Sequence, residues 1–293
     1  MKKISVILLC FSLLLLCSCV SNEPNESITE ASQADESIET SEEVSENTKL
    51  LLWKQTMTNQ TGSTVHTITY EYNEKGQAAV IKTVYGDSTT LLYCAYDEYG
   101  NTVEEITKDQ NGKFLSHHVY EKDAEGELLN WKGLDANGNT KFENKFRYER
   151  DSLGRITATY HNDILESSII YEEDGSYTFT GAATGSYSKY DAEGKVFESG
   201  EEGAYLTEHK YENGLLTEVK TVWEDSAMPI SLVTFRYENG LQIEKTTYSD
   251  GEVTEKLLTE YNESGLVTKE TTENALGIAI RIQEYEYKEF PVE

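Results

Sequence analysis

The sequence predicts an all-β protein, an elongated antiparallel meander of repeated β-hairpins that is free to curl or coil into a spiral. Three observations predict it. The first is a short phrase that recurs along the chain: aromatic-x-aromatic, an acidic or amide residue, Gly, one polar residue and one apolar one. Tyr70-Glu71-Tyr72-Asn73-Glu74-Lys75-Gly76-Gln77-Ala78 is a clear copy, and the stretches from Tyr96, Tyr190 and Tyr261 repeat it. The second is its period of two, which puts Tyr70 and Tyr72 on one strand face and Glu71 on the other. The third is the lack of helical spacing. The best candidate for a helix, 192–205, is interrupted by Gly194, Gly200 and Gly203.

Each part of the phrase has a physical job. Aromatic and β-branched residues suit a pleated, half-buried surface. Asp or Asn hydrogen-bonds the backbone two residues on, and Gly takes positive φ without a Cβ clash. The shorter Asn213-Gly214 and Asn239-Gly240 pairs are two-residue hairpin signals. The repeat-turn glycines are Gly76, Gly100, Gly126, Gly138, Gly154, Gly194, Gly214, Gly240 and Gly265. Turn glycines recur on average about every 17 residues, the length of two short strands and their turns.

Along the chain, residues 1–18 read as an export signal. Lys2 and Lys3 precede an apolar run from Ile4 to Leu16, too short to span a bilayer. Leu16-Cys17-Ser18-Cys19 resembles the lipobox of bacterial lipoproteins, with Cys17 departing from its commonest form. The resemblance implies that Cys19 is the lipidated N-terminus, so the protein is exported and lipid-anchored to the bacterial cell membrane or envelope. Residues 19–49 read as a disordered acidic tether. Between 20 and 48 lie nine acids, six serines, no aromatic residue and no Lys or Arg. The repeat body is 50–293, opening with Leu50-Leu51-Leu52-Trp53 as an edge strand or cap. Thr221 to Pro229 reads as a longer loop, and 181–186 as a weak point of the array.

Several units, above all Tyr96-Asp97-Glu98-Tyr99-Gly100-Asn101 and Tyr190-Asp191-Ala192-Glu193-Gly194-Lys195, resemble the YD repeats of the RHS type. Asp151-Ser152-Leu153-Gly154-Arg155-Ile156 matches part of the same motif. The resemblance covers most of 70–270 and implies a β-sheet ribbon or shell on a cell surface. Large members enclose a C-terminal toxin; with the array running almost to Glu293, none is expected here.

Composition narrows the function. The chain carries 25 basic and 53 acidic residues, net −28. Removing the nine acids of 20–48 with Lys2, Lys3 and Lys49 leaves 22 basic and 44 acidic residues in the body. Such a surface repels nucleic acid. Of the four cysteines only Cys94 lies in the body, where alternation with Leu92 and Tyr96 makes it a small inward-facing residue. The five histidines form no metal-ligand spacing, and His117-His118 point to opposite faces of a strand. The Asp135-Ala136-Asn137-Gly138-Asn139 run lacks calcium-loop spacing. No nucleophile elbow, phosphate loop or dinucleotide fingerprint occurs. The expectation is therefore a protein without cofactor, metal or catalytic residues: an envelope-anchored, non-enzymatic binding or scaffolding body. Its partners would be the membrane, through the lipid, and an envelope protein or glycan. One alternative is a carbohydrate- or cell-wall-binding module using Trp53, Trp131 and Trp223, which fall outside the repeat phase. The other is a two-carboxylate glycoside hydrolase.

Overall fold

A computed structural model describes residues 48–223 and 229–292. The expected signal segment 1–18, Cys19, nearly all of the tether and 224–228 lie outside the described residues. The first half of the body holds β1 (Thr48–Asn59), β2 (Thr64–Tyr72), β3 (Ala78–Tyr85), β4 (Ser88–Tyr96), β5 (Thr102–Asp109), β6 (Phe114–Lys122), β7 (Leu128–Leu134), β8 (Thr140–Arg150), β9 (Ile156–His161) and β10 (Ile164–Tyr171). The second half holds β11 (Tyr177–Gly181), β12 (Ser186–Tyr190), β13 (Val196–Glu201), β14 (Tyr205–Glu212), β15 (Leu215–Trp223), β16 (Pro229–Glu238), β17 (Leu241–Ser249), β18 (Glu252–Tyr261), β19 (Val267–Asn274) and β20 (Ala279–Pro291).

Every strand pairs antiparallel with its chain neighbours, and β20 pairs with β1. The body is therefore a closed 20-stranded barrel, not the open elongated meander or spiral that the repeat predicts. An open sheet of this length would leave the backbone of β1 and β20 unpaired along two edges. Closure joins those edges from Thr48↔Pro291 to Asn59↔Arg281. The Leu50–Trp53 stretch is thus not an edge strand. It lies in the seam, laddered to β20 through Leu50, Leu51 and Leu52, and the same strand pairs with β2 from Lys54 onward.

Following paired residues once around the ring returns to β1 about 20 residues further along, a stagger equal to the strand number. That ratio is the one that tilts barrel strands by about 36°. With strands about 4.8 Å apart, the ring is on the order of 35–40 Å across.

The wall has two unlike faces. One carries the tyrosines, among them Tyr70, Tyr72, Tyr96, Tyr120, Tyr148, Tyr237, Tyr261, Tyr285 and Tyr287. The other carries cross-strand ion pairs, including Lys54–Glu286, Lys132–Glu143, Lys189–Glu198, Arg236–Glu244 and Lys269–Glu260. Along β8 the tyrosine-side residues Phe146 and Tyr148 are half-buried while Lys145, Arg147 and Glu149 are exposed. Apolar residues near strand ends on the ion-pair face are exposed too, with Leu115 at 46% and Ile170 at 62%. A concave wall crowds side chains and a convex wall splays them, so the tyrosine face lines the lumen.

The described residues build no conventional core. Among the described apolar side chains only Ala158 is buried, at 8% exposure. Local hydrogen bonding carries much of the order instead. In the turn that begins at Asp97, the Gly100 N–H donates to the Asp97 carbonyl and the Asp97 N–H to that of Asn101. The Asp97 carboxylate then accepts from the N–H groups of Tyr99 and Asn101. The same side-chain clamp recurs at Asn59, Asn73, Asp109, Asp123, Asp135, Asp151, Asp191, Asn262 and Asn274. Gly100 closes this turn at φ 88°, a conformation that a Cβ would strain. The two-residue turns Asn213-Gly214, Asn239-Gly240 and Asp250-Gly251 hold both residues at positive φ, as type I′ hairpins require.

A second device ties some of the turns to the wall. At six positions among the described residues a tyrosine, in five of them the one entering a turn, sends its hydroxyl back to the preceding strand. Tyr96 donates to the Ala78 carbonyl (2.8 Å), Tyr148 to Leu128 (2.9 Å), Tyr237 to Leu216 (2.9 Å), Tyr261 to Gln242 (2.7 Å) and Tyr287 to Val267 (2.9 Å). Tyr72 does the same to Leu52. The ladder register shifts at Tyr72, Tyr96, Tyr237 and Tyr261, a bulge that swings the ring toward its acceptor.

The turn at Glu172 is a natural control. Its backbone closes like the others, but Glu172 is one methylene too long to clamp, and Asp174 holds the Ser176 N–H instead. Asp97→Ala is expected to lower unfolding free energy by about 1–2 kcal/mol, and Glu172→Asp to raise it by up to about 1 kcal/mol. Urea unfolding of the two variants against wild type checks both signs.

Candidate functional site

The lumen face gathers polar and aromatic side chains into two clusters. On β4 to β8, the Tyr120 hydroxyl donates to Glu105 (2.6 Å) and the Trp131 indole N–H to His118 Nδ1 (2.9 Å). The ring of Phe142 meets Trp131 edge-on, 5.4 Å between centroids. Gly133 makes room for it, since a Cβ there would lie 2.2 Å from the Phe142 ring. Cys94 stands beside this group, half-buried. Burial and then the Glu105 carboxylate push its thiol above the ordinary range, which makes it a poor nucleophile.

The second cluster is the closure seam. The Tyr285 hydroxyl donates to Glu270 on β19, and the Tyr70 hydroxyl reaches Gln55 on β1 (3.3 Å). Gln55 stands opposite Tyr285 in the ladder and is buried at 8% exposure. Glu270, Tyr285, Gln55 and Tyr70 thus form one polar row across β19, β20, β1 and β2. The Glu105–Tyr120 pair has the same spacing of 15 residues as Glu270–Tyr285, so the seam reuses a wall element. In both pairs burial and then the bonded carboxylate push the tyrosine well above its ordinary range.

The three tryptophans do not converge. Trp53 sits on the outer face at a bulge of β1, with the Lys288 ammonium 3.3 Å and the Lys54 ammonium 5.7 Å from its ring centroid. Trp131 belongs to the lumen cluster. Trp223 ends β15 opposite Tyr205 and is 55% exposed. They occupy three separate arcs of the ring and build no shared site. Gly76, Gly126, Gly138, Gly154, Gly194, Gly214, Gly240 and Gly265 all adopt positive φ, as Gly100 does, and lie in turns.

The histidines are dispersed as well. His117 meets Glu104 on the outer face (2.7 Å), while His118 faces the lumen. His161 stacks on Phe146 and bonds Asn144 (2.9 Å). Burial alone lowers His209, whose Nδ1 has no hydrogen-bond partner. Among the described residues no three His, Cys, Asp or Glu side chains are grouped to hold a metal ion.

The wall is dressed for water on both sides. Mid-strand charges stand on the outer face, such as Lys82, Lys132, Arg147 and Lys220, and on the lumen face, such as Glu105, Lys245 and Glu270. In a membrane-spanning barrel a lipid-facing Lys or Arg at mid-bilayer costs about 2–4 kcal/mol, and an apolar band replaces such residues.

No family model matches the chain, and no curated protein matches it. Among solved structures it is similar to the TcdB2–TccC3 assembly, at 11% identity and a TM-score of 0.34, over 75% of this chain and 16% of that one. It is also similar to the Photorhabdus luminescens Tc holotoxin pore, at 11% identity and a TM-score of 0.33, over 77% and 16%. A porin-like protein from Bacteroides uniformis aligns at 14% identity and a TM-score of 0.32, over 81% and 96%. The chain thus spans 16% of the length of the two Tc chains it resembles. The likeness extends to the all-β character of the wall and no further.

Two outcomes follow for the seam and its tyrosines. Tyr285→Phe removes the hydroxyl that the half-buried Glu270 accepts from, beside the buried Gln55, and is expected to cost about 1–3 kcal/mol. Hydrogen exchange should then speed up in β20 and β1 before the rest of the wall. The raised tyrosines also set an alkaline limit. Tyr96 is pushed up to about 12 by burial, Cys94 and Glu105. Folding favours the neutral phenol, so its stabilisation is whole below about pH 10, the unfolded value, and is lost as pH rises through the folded one. Tyrosinate absorbance is expected to appear together with loss of the β-sheet circular dichroism signal.

Proposed function

We propose that this protein is an envelope lipoprotein whose barrel is a non-enzymatic binding or scaffolding body held outside the membrane. The observation that carries this reading is the charged dressing of both wall faces. A ring with Lys, Arg and Glu at mid-strand height stays in water, so membrane attachment falls to another part of the chain. Cys19, in its lipobox-like setting, supplies it, and the acidic stretch after it gives reach.

The strand geometry suits that arrangement. β1 begins and β20 ends at the same rim, with Thr48 paired to Pro291. The chain therefore leads into the rim that carries the tyrosine-tied turns, and the opposite rim is left for partners. An array of repeated hairpins with clamped turns supports presentation of a surface.

Two experiments test the reading. Cys19→Ala should move the full chain from the detergent phase to the aqueous phase on temperature-induced phase separation; no change would sink the lipid anchor. Immobilised wild-type protein should also retain a discrete envelope component through a salt series, since screened surface charge alone washes away. Retention of nothing above a charge-matched control would overturn the binding role.

A further inference from the structure

The ring departs from its own period along one arc, and that arc carries a groove. β11 and β12 have 5 residues each and β13 has 6, against 8 to 13 in most other strands. Gly181, Gly185, Gly200 and Gly203 thin the same stretch. Gly200 stands between Tyr187 and Leu206 on the outer face, where the repeat elsewhere places a side chain. Its φ is not in the left-handed region, so backbone conformation does not require glycine there. Space does: a Cβ at Gly200 would lie 2.4 Å from the Tyr205 carbonyl oxygen. The outcome is a groove of about 550 Å³ lined by Thr178, Thr180, Tyr187, Lys189, Glu198 and Leu206, with Glu201, Glu202 and Tyr205 completing it. That volume falls in the range of small-ligand sites, about 300–1,000 Å³.

The side chains are arranged for a specific chemistry. The Tyr187 hydroxyl donates to Glu198 (3.1 Å), and the Lys189 ammonium binds the same carboxylate oxygen (2.7 Å). Lys189 also lies 5.4 Å from the Tyr187 ring centroid. The ring is therefore held at its tip, and ordering it on binding costs little. Thr178 and Thr180 project beside it from the neighbouring strand, each able to donate and accept. Three carboxylates against one ammonium disfavour an anion. An aromatic face, two hydroxyls and carboxylate acceptors match a neutral polyhydroxylated ligand, whose C–H face stacks on the ring while its hydroxyls donate to the acids. The groove is open, so it fits an internal stretch of a chain.

We propose that the β11–β14 arc binds a neutral oligosaccharide, with Tyr187 as the stacking platform. This deepens the binding role above and rests on it. The test uses the full chain in a zwitterionic, sugar-free detergent, with calorimetric titration of neutral hexamers of β-1,4-glucose, β-1,4-N-acetylglucosamine and β-1,4-mannose. A hexa-uronate and a hexa-glucosamine serve as charged counterparts. At least one neutral hexamer is expected to bind, with the uronate at least tenfold weaker. Tyr187→Ala should weaken binding at least tenfold and Thr180→Val severalfold, while Trp53→Ala leaves it unchanged. Thr180→Val preserves strand shape and so guards against a misfolded Tyr187 variant. Binding by none of the neutral hexamers, binding only by the cationic one, or wild-type affinity in both groove variants would overturn the proposal. Hexamer binding without envelope capture would remove the envelope partner and keep the groove; capture without hexamer binding would remove the groove alone.

Discussion

Everything in this barrel depends on backbone hydrogen bonds having no place to end. A sheet with Ala158 as its only buried apolar side chain among the described residues cannot lean on a hydrophobic core. Its strands must satisfy one another, and a finite sheet leaves two strands half satisfied. The β1–β20 ladder removes that deficit. It is built from the two longest strands, of 12 and 13 residues, and backed by the Glu270–Tyr285 and Gln55–Tyr70 pairs. Turn clamps and tyrosine ties then stiffen many of the hairpins that must arrive at the seam in register.

The hairpins were legible in the sequence because their causes are local. Asp97 clamps residues two and four positions on, and Gly100 sits where its own φ demands it; both facts lie within five residues. The seam was not legible, because its causes are distant. Leu52 meets Tyr287 across more than two hundred residues, and neither carries a mark that distinguishes it from the next copy. Ring closure is a property of the accumulated stagger, about one residue per strand, and no single hairpin displays it. Hence Leu50–Trp53 read as an edge although it lies inside the wall.

The candidate site divides the same way. The tryptophans stand out in the sequence because they break the repeat phase, yet the ring places them in separate arcs. The β11–β14 groove is made by absence: short strands, and a glycine at 200 where neighbours carry side chains. Reading it from sequence would need the register that pairs Gly200 with Tyr187 and Leu206. The visible signal was the 181–186 stretch, which read as a weak point of the array and instead belongs to the arc that carries the groove.

Closure by whole hairpins also makes the bore a counted quantity. Strands enter the ring in antiparallel couples, so the wall can gain or lose members only two at a time. Because diameter grows nearly in proportion to strand number, each hairpin added or deleted changes the opening by about a tenth. A lineage that duplicates or drops one repeat thus inherits a graded set of gauges, each still edgeless provided its first and last strands find each other. The aperture of such a molecule is written in copy number, and the side chains of any one copy have little say in it.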